Sequence, residues 1–299
     1  MLEFRDIKLD DKQEFDRYTR GHCNAEASFA NIYLWRTVCR TKIAFDEQAL
    51  YLLLDLPDYR PFMLPPFLLQ YDGCYKEPLR RVYDHMNAHC GGFFIKGVTN
   101  YVKERIEASC PGNFTLVPDR DNFEYVYLSS DLCSLEGKKL HAKRNHINRL
   151  LQEHEAEYRA YRPEDYEACV SLHRQWMEEK GGVTKGLRDE FTVTKTALEN
   201  LDALGLKCGM LYVDGKLTAF SIGEKFQEDM ALIHIEKADP DVQGAYPMIN
   251  REFARAEWSE VKYINREEDM GIEGLRKAKL SYNPVFLIEK YTCVRSEAQ

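Results

Sequence analysis

The sequence predicts an α/β or α+β protein of two similar domains in succession, each a sheet with helices on its faces. Its 299 residues are enough for two domains of common size, each with its own core. Residues 157–170 repeat the pattern of residues 3–16, with a glutamate, an aromatic residue, an arginine and an acidic helix cap in matching places. Short strand-like and helix-like segments alternate along the chain, which favours this class over an all-β sandwich.

In the first half, a strand over 2–7 precedes a helix that continues through Tyr18. Residues 42–55 are typical of a hairpin, and residues 92–109 of a strand followed by a helix. The aromatic-rich segment 29–35 is typical of a helix that packs into the core. The second half has the same kinds of element, namely a hairpin over 209–223, a strand over 231–238, a helix from about Ala245, a strand over 261–265 and a helix over 272–280.

A basic helix is predicted between the two halves, so the expected domains are 1–134, a connecting helix over 135–155, and 156–299. Residues 138–151 contain five cations, two histidines and no acid. Leu140, Ile147 and Leu151 fall at helical spacing and can bury one stripe. The cations then form either a solvated helix face or a binding surface for a polyanion such as tRNA or coenzyme A. The candidate contacts are Lys139, Lys143, Arg144 and Arg149.

Charge and cysteine usage narrow the class of protein. A formal net charge of −8 argues against general coating of nucleic acid, so we expect no DNA partner. The nine cysteines include no C-x-x-C pair, which favours reduced thiols and predicts no metal site. The chain has no apolar stretch near the ~20 residues that span a bilayer, so we expect a soluble, cytoplasmic protein without a transmembrane segment.

The predicted strand over 231–238 carries the first candidate catalytic residues. Its period of two separates Ile233 and Ile235 from His234 and Glu236. Because buried charges without partners are unfavourable, the polar pair either borders a cleft or is satisfied internally. In a cleft, either residue could accept a proton from a nucleophile, as acyl transfer requires.

Two segments after this strand carry candidate donor-binding residues. A helix start at Gly244 could present backbone N–H groups to a phosphate or a carbonyl oxygen. The alternative is that the small residue only marks the start of the helix, as small residues often do. The polar cluster 265–269 follows the next strand, where α/β sheets often bind ligands, or is an ordinary charged loop. The candidates are Gln243, Gly244, Ala245, Tyr246, Asn265, Arg266, Arg276 and Lys277, with Lys279 as a further cation.

Five segments together resemble an uncharacterised bacterial family related to the cytosolic domain of phosphatidylglycerol lysyltransferases: 143–149, 211–216, 235–240, 263–269 and 271–284. The resemblance covers nearly the whole chain. It implies two GNAT-type folds in tandem, as in the Fem peptidyltransferases, separated by a positively charged helix. Each fold would be a mixed, mostly antiparallel sheet with helices on both faces. It also implies transfer of an aminoacyl group from charged tRNA to an amine or hydroxyl acceptor.

The lysyltransferase ending, a Leu-x-Arg/Lys-x-Lys stretch followed by aromatic-x-Pro, falls on Leu275, Lys277, Lys279, Tyr282 and Pro284. The resemblance places Lys279 opposite the phosphate or ester of the donor. Ser281 departs from an expected basic residue. The loop 243–246 is a degenerate version of the pyrophosphate loop of relatives that use coenzyme A, which lowers the expectation of an acetyl-CoA donor.

Three functions therefore compete. The first is aminoacyl-tRNA-dependent acyl transfer, in which Glu236 or His234 is the base and the backbone near Gly244 and Lys279 stabilise the oxyanion. The second is transfer from an acyl-coenzyme A. The third is a non-catalytic binding module on the same fold. No tightly bound cofactor is expected in any of them.

Overall fold

The computed structural model describes residues 2–179 and 184–296. The strands are β1 Arg5–Asp6, β2 Lys42–Phe45, β3 Ala49–Leu54, β4 Phe62–Met63, β5 Phe67–Leu68, β6 Ile95–Thr99, β7 Phe114–Pro118, β8 Glu124–Leu128, β9 Ala156–Ala160, β10 Leu206–Val213, β11 Lys216–Gln227, β12 Met230–Ala238, β13 Tyr263–Asn265, β14 Phe286–Ile288 and β15 Lys290–Arg295. The helices are α1 Lys12–Thr19, α2 Phe29–Trp35, α3 Lys76–His89, α4 Asn100–Ser109, α5 Ser129–Ser134, α6 His141–Glu153, α7 Tyr166–Glu179, α8 Lys185–Glu199, α9 Leu201–Leu204, α10 Ala245–Glu257 and α11 Glu273–Leu280.

The chain divides into two compact units. Unit 1 contains the chain up to Glu124, Glu268–Ile272 and the chain from Ile288, and unit 2 contains Tyr125–Glu267 and Glu273–Leu287. Both units are therefore built from separated stretches of sequence. Whether the predicted segments 1–134, 135–155 and 156–299 behave as domains stays a prediction.

Unit 1 contains an eight-stranded sheet in the order β1-β2-β3-β4-β6-β15-β7, with β5 paired to β3. The pairing of β4 with β6 is parallel, and β15 lies antiparallel between β6 and β7. The predicted hairpin over 42–55 is present as β2 and β3. The first predicted strand is shorter than expected, and Arg5–Asp6 alone pairs with β2.

A buried ion cluster lies in unit 1. The Lys290 side chain is 1% exposed, and its Nζ lies 2.6 Å from Glu26 Oε1 and 2.5 Å from Glu124 Oε1. Burial opposes the charge of Lys290, but Glu124 and Glu26 together raise its pKa above the ordinary value. Glu124 Oε1 also accepts a hydrogen bond from the Ala25 N–H at 2.8 Å. The buried charges are therefore paired and hydrogen-bonded, which such groups require.

Unit 2 contains a seven-stranded sheet in the order β14-β8-β13-β12-β11-β10-β9. The predicted hairpin is β10 and β11, with positive φ at Asp214 (50°) and Gly215 (78°), as a type I′ turn requires. The pairing is antiparallel from β9 to β12 and parallel between β12 and β13.

Helices cover both faces of this sheet. On β12, Glu236 meets Asn250 of α10, whereas the adjacent Lys237 meets Glu190 of α8. Because successive residues of a strand point to opposite faces, α10 and α8 lie on opposite sides. The predicted α/β fold with mixed, mostly antiparallel sheets is confirmed.

The predicted basic helix is α6, and it begins three residues later than the first cation of the run. Lys138 and Lys139 precede its first residue, His141. Ile147 and Leu150 are its buried residues, and they belong to the hydrophobic core of unit 2. The helix is thus packed into this core through one apolar stripe. The stripe differs from the predicted one, because Leu151 is 46% exposed and the adjacent Leu150 is buried in its place.

Candidate active site

The strands β12 and β13 diverge after a short parallel pairing. Met230, Ala231 and Leu232 are the β12 residues that pair with β13, and the chain leaves β13 after Asn265. The strand β12 continues to Ala238. Divergence at the carboxyl ends of parallel strands creates a place where α/β proteins bind ligands.

A β-bulge lies at this point of divergence. Ile222 of β11 pairs with Ile235, but the next residue, Gly223, pairs with Ile233, so His234 is the additional residue. A side chain at Gly223 would place its Cβ 2.6 Å from the Leu232 carbonyl oxygen. The strict alternation predicted for this strand is therefore interrupted, and the bulge re-aims His234.

His234 lies between two carboxylates. Its Nδ1 is 2.9 Å from Glu267 Oε1 and its Nε2 is 3.2 Å from Glu224 Oε1. The side chain is 3% exposed. Burial opposes protonation, but the hydrogen bonds to Glu224 and Glu267 raise the pKa of His234 to about 9. At neutral pH the ring is an imidazolium that donates through both nitrogens, and it has no lone pair with which to accept a proton.

Glu236 is held by a cation and an amide. Its Oε1 accepts from Arg266 Nη2 at 2.9 Å, and its Oε2 accepts from Asn250 Nδ2 at 3.1 Å. The Arg266 guanidinium carbon lies 4.8 Å from the ring centroid of Tyr282 and 5.7 Å from that of Tyr127. We refer to Glu236, Arg266, Asn250 and Tyr282 as the Glu236 cluster.

Two buried polar atoms of this cluster make no hydrogen bond within the part of the chain that the structure describes: Arg266 Nη1, a donor, and Asn250 Oδ1, an acceptor. Asn250 is 4% exposed. Leaving a buried polar atom unsatisfied is unfavourable by about 1–3 kcal/mol, so each such atom in a native protein calls for a partner such as a water, an ion or a ligand.

Lys143 of α6 lies beside the Glu236 cluster. Its Nζ is 4.1 Å from the ring centroid of Tyr282. The side chain is half-buried. Burial and the nearby Arg266 lower its pKa, while Glu236 raises it. Lys143 has no hydrogen bond or ion pair with any residue of the described ranges, so its charge can be shared with a ligand anion.

Lys279 supports the turn that follows β13. Its Nζ donates to the backbone carbonyl oxygens of Arg266 and Glu267, the second at 3.0 Å. Glu267 adopts a positive φ of 56°, a strained conformation that its surroundings must maintain. The Lys279 carbonyl in turn accepts from the Tyr127 hydroxyl at 2.8 Å. Lys279 thus acts on the backbone that carries Arg266.

The start of α10 lies against α6. A Cβ at Gly244, where φ is 100°, would come within 2.6 Å of the His146 carbonyl oxygen, and Gln243 Nε2 lies 3.3 Å from His146 Nδ1. The Ala245 N–H donates to Val242 O, and residue 247 is a proline without an N–H. Two of the first three N–H positions of the helix therefore cannot bind a phosphate.

Tyr246 lies in the first turn of α10 and is half-buried. Burial raises its pKa to about 12. Asn265 is buried at the end of β13, and its Oδ1 accepts from the Glu267 N–H at 2.9 Å. Tyr246 therefore lies on the helix that carries Asn250, and Asn265 directly precedes Arg266.

The other predicted cations point elsewhere or have partners. Arg144 donates to the carbonyls of Leu135 and Gly137, and Arg149 pairs with Glu153. Lys277 is exposed and pairs with Glu273, and Arg276 is half-buried beside it on α11. Lys139 is exposed before α6. The structure thus brings together Glu236, Arg266, Lys143 and, through backbone carbonyls, Lys279.

Sequence reasoning missed Asn250 and Glu224. Asn250 lies on the buried face of an amphipathic helix, next to Ile249 and Phe253. A polar residue within an apolar stripe is a signal that the sequence contains. Glu224 is brought to His234 by the strand register, which the sequence did not predict.

The described residues include one group of carboxylates close enough to share a cation: Glu179, Asp239 and Asp241, with ligand atoms within 4.8 Å of one another. Two of the three are exposed, and Asp239 pairs with Lys216.

An open cleft of about 650 Å³ lies in unit 1 and is lined by other residues, including Phe45, Arg81, His85 and His89. Within residues 2–179 and 184–296, no helix is long and apolar enough to cross a membrane.

Comparison with solved structures shows the fold. A conserved protein of unknown function from Bacteroides thetaiotaomicron VPI-5482 is 36% identical, with 99% of this chain and 100% of that chain covered and a TM-score of 0.90. L-PGS from Bacillus licheniformis is 12% identical, with 97% and 93% covered and a TM-score of 0.65. A tandem GNAT protein from the clavulanic acid biosynthesis pathway is 11% identical, with both chains fully covered and a TM-score of 0.56. The predicted tandem GNAT-like fold is confirmed.

Sequence comparison gives the family. An uncharacterised protein of Mycoplasmoides gallisepticum (strain R) is 24% identical over 169 residues, which is 56% of this chain. The match spans 54% of that curated relative, about half its length. The model of the family described as phosphatidylglycerol lysyltransferase, C-terminal, matches residues 18–294. Because this match covers nearly the whole chain, the protein belongs to the family of the C-terminal domain of phosphatidylglycerol lysyltransferase.

Proposed function

We propose that this protein is an aminoacyltransferase that takes its acyl group from charged tRNA and transfers it to an amine or hydroxyl. The observation that carries the proposal is the Glu236 cluster, which combines a carboxylate, an arginine and two unsatisfied polar atoms where β12 and β13 diverge. Membership of the lysyltransferase family supports this reaction class.

In the proposed reaction, the acceptor nitrogen or oxygen attacks the carbonyl carbon of the aminoacyl ester. A bond forms from the acceptor to this carbon, and the ester C–O bond breaks. Glu236 accepts the proton of the nucleophile and returns it to the departing ribose oxygen, the general acid–base role. Arg266 Nη1 donates to the oxygen on which negative charge develops. Of the two proposed bases Glu236 is favoured, because His234 is protonated at neutral pH.

The half-buried Lys143 contributes to donor binding in this proposal. Its ammonium adjoins the cluster and can meet a phosphate of the tRNA 3′ end. His234 and Lys279 are positioning residues, since His234 binds the Glu267 side chain and Lys279 binds the carbonyls of Arg266 and Glu267. The start of α10 offers few N–H groups to a pyrophosphate, which favours charged tRNA over an acyl-coenzyme A.

A trapping assay tests the proposal without knowledge of the acceptor. Hydroxylamine replaces the acceptor, and aminoacyl hydroxamate is measured after incubation with a mixed pool of charged tRNA. We expect the wild-type protein to accelerate hydroxamate formation and Glu236→Gln to reduce the rate by about a hundredfold or more. Glu228→Gln is the matched control, because Glu228 is exposed in the turn between β11 and β12. Equal rates for Glu236→Gln and the wild type would contradict the proposal.

A further inference from the structure

The amide of Asn250 has a fixed orientation. Its Nδ2 donates to Glu236 Oε2 at 3.1 Å, and a carboxylate that is ionised only accepts hydrogen bonds. Exchanging the amide oxygen and nitrogen would place two acceptors against each other. The oxygen therefore points away from Glu236, and this is the atom that is buried without a partner in the described chain.

The unsatisfied atoms of the Glu236 cluster have complementary chemistry. Glu236 binds Asn250 through one carboxylate oxygen and Arg266 through the other. Asn250 Oδ1 can accept from a ligand N–H or O–H, and Arg266 Nη1 can donate to a ligand acceptor. Because both side chains bind the carboxylate of Glu236, a single ligand that meets both atoms presents one donor and one acceptor.

An α-aminoacyl group has this arrangement, because its amine is attached to the carbon next to the carbonyl. A plain acyl group, such as acetyl, has the carbonyl oxygen but no donor beside it. The neutral oxygen of Asn250 can accept from the amine in either its neutral or its protonated form. We propose that Asn250 binds the α-amino group of the donor and thereby selects aminoacyl over simple acyl groups, with Arg266 Nη1 on the carbonyl oxygen.

This inference rests on the proposed aminoacyl transfer and names the residue that gives it donor specificity. Asn250 touches the transferred group but not the bond that breaks. We therefore expect its loss to weaken the distinction between donors more than it lowers the turnover number.

Two small amides test the inference directly. L-alaninamide and propionamide differ only by the α-amine, and their affinities are measured by chemical-shift titration of the full chain. We expect the wild type to prefer alaninamide by about tenfold or more, the range of one hydrogen bond to a charged group. Asn250→Leu should reduce this ratio to about one. Because both affinities come from the same protein sample, the ratio does not depend on the fraction folded.

Two further variants complete the design. Asn148→Leu is the matched control, because Asn148 is exposed on α6, and it should retain the wild-type ratio. If Asn250→Leu does not fold, Asn250→Ala gives the same comparison without filling the space.

The outcomes separate this inference from the proposed function. Equal affinity of the wild type for the two amides would overturn the role of Asn250, even if hydroxamate is formed from charged tRNA. A retained preference in Asn250→Leu would also overturn it. A preference for alaninamide that depends on Asn250, without hydroxamate formation, would support amine recognition while contradicting the proposed transfer.

Discussion

Raising the pH from about 6.5 to about 10 should destabilise unit 2, because His234 loses its proton in this range. The pKa of His234 rises from its ordinary value of 6.5 to about 9 in the folded protein. The native state therefore binds more protons than the unfolded state between these values, and the free energy of unfolding falls as the pH increases. The stabilisation is complete below about 6.5 and is lost above the folded pKa.

The magnitude follows from the difference between the two pKa values. It is 2.5 when the folded value is taken as 9, and each pKa unit corresponds to about 1.36 kcal/mol, so the contribution is about 3 kcal/mol. No reduction for solvent screening is needed, since the side chain is 3% exposed. The perturbation that isolates this contribution is His234→Gln, which keeps a hydrogen-bond donor but cannot be protonated.

Urea unfolding, followed by tryptophan fluorescence at a series of pH values, measures this effect. The wild type should lose about 3 kcal/mol more than His234→Gln between about pH 6 and about pH 10. His154→Gln is the control, because His154 also faces a carboxylate, that of Asp214, but is exposed, and it should follow the wild type. Parallel curves for the wild type and His234→Gln would refute the reasoning, as would an NMR titration of His234 with a pKa near 6.5.

Three other changes have defined outcomes. Gly244→Ala should lower the free energy of unfolding in urea by about 2 kcal/mol, because Gly244 has a positive φ and lies against a carbonyl of α6. The control Gly186→Ala should not lower it, because Gly186 has an ordinary helical φ and open space around it. Lys290→Met should lower the free energy of unfolding by about 3–5 kcal/mol, because it leaves buried carboxylates unpaired. Adding Glu124→Gln should restore part of this stability. If it restores none, the pairing of these buried charges does not explain the loss. Lys143→Gln should raise the KM for charged tRNA in the hydroxamate assay more than it lowers kcat, and an unchanged KM would remove Lys143 from donor binding.

The sequence predicted the position of the strand β12 but not the local geometry of its backbone. The alternation of apolar and polar residues at 233–236 correctly located a strand with a polar pair. It could not reveal the bulge at His234, because the bulge depends on the register with β11 and on Gly223. For the same reason, the pairing of His234 with Glu224 was not predictable from sequence spacing.

The organisation of the sheets shows the same limit. The repeated phrases predicted two similar halves, but β8 joins the sheet of unit 2 and the last strand, β15, joins that of unit 1. Long-range strand pairing of this kind leaves no local pattern in the chain.

The basic run on α6 was correctly recognised, whereas the partners of Arg144 and Arg149 are set by neighbouring turns of the chain. Lys143 alone of these three adjoins the Glu236 cluster.

In the proposed function, the donor is an aminoacyl ester of tRNA held at the Glu236 cluster. The most direct test is a single hydroxylamine-trapping experiment in which the wild-type protein receives equal concentrations of charged tRNA and acetyl-coenzyme A. We predict that aminoacyl hydroxamate forms faster with the protein than without it, and that acetohydroxamate forms at the uncatalysed rate. Catalysed acetohydroxamate formation, with no acceleration from charged tRNA, would contradict the account.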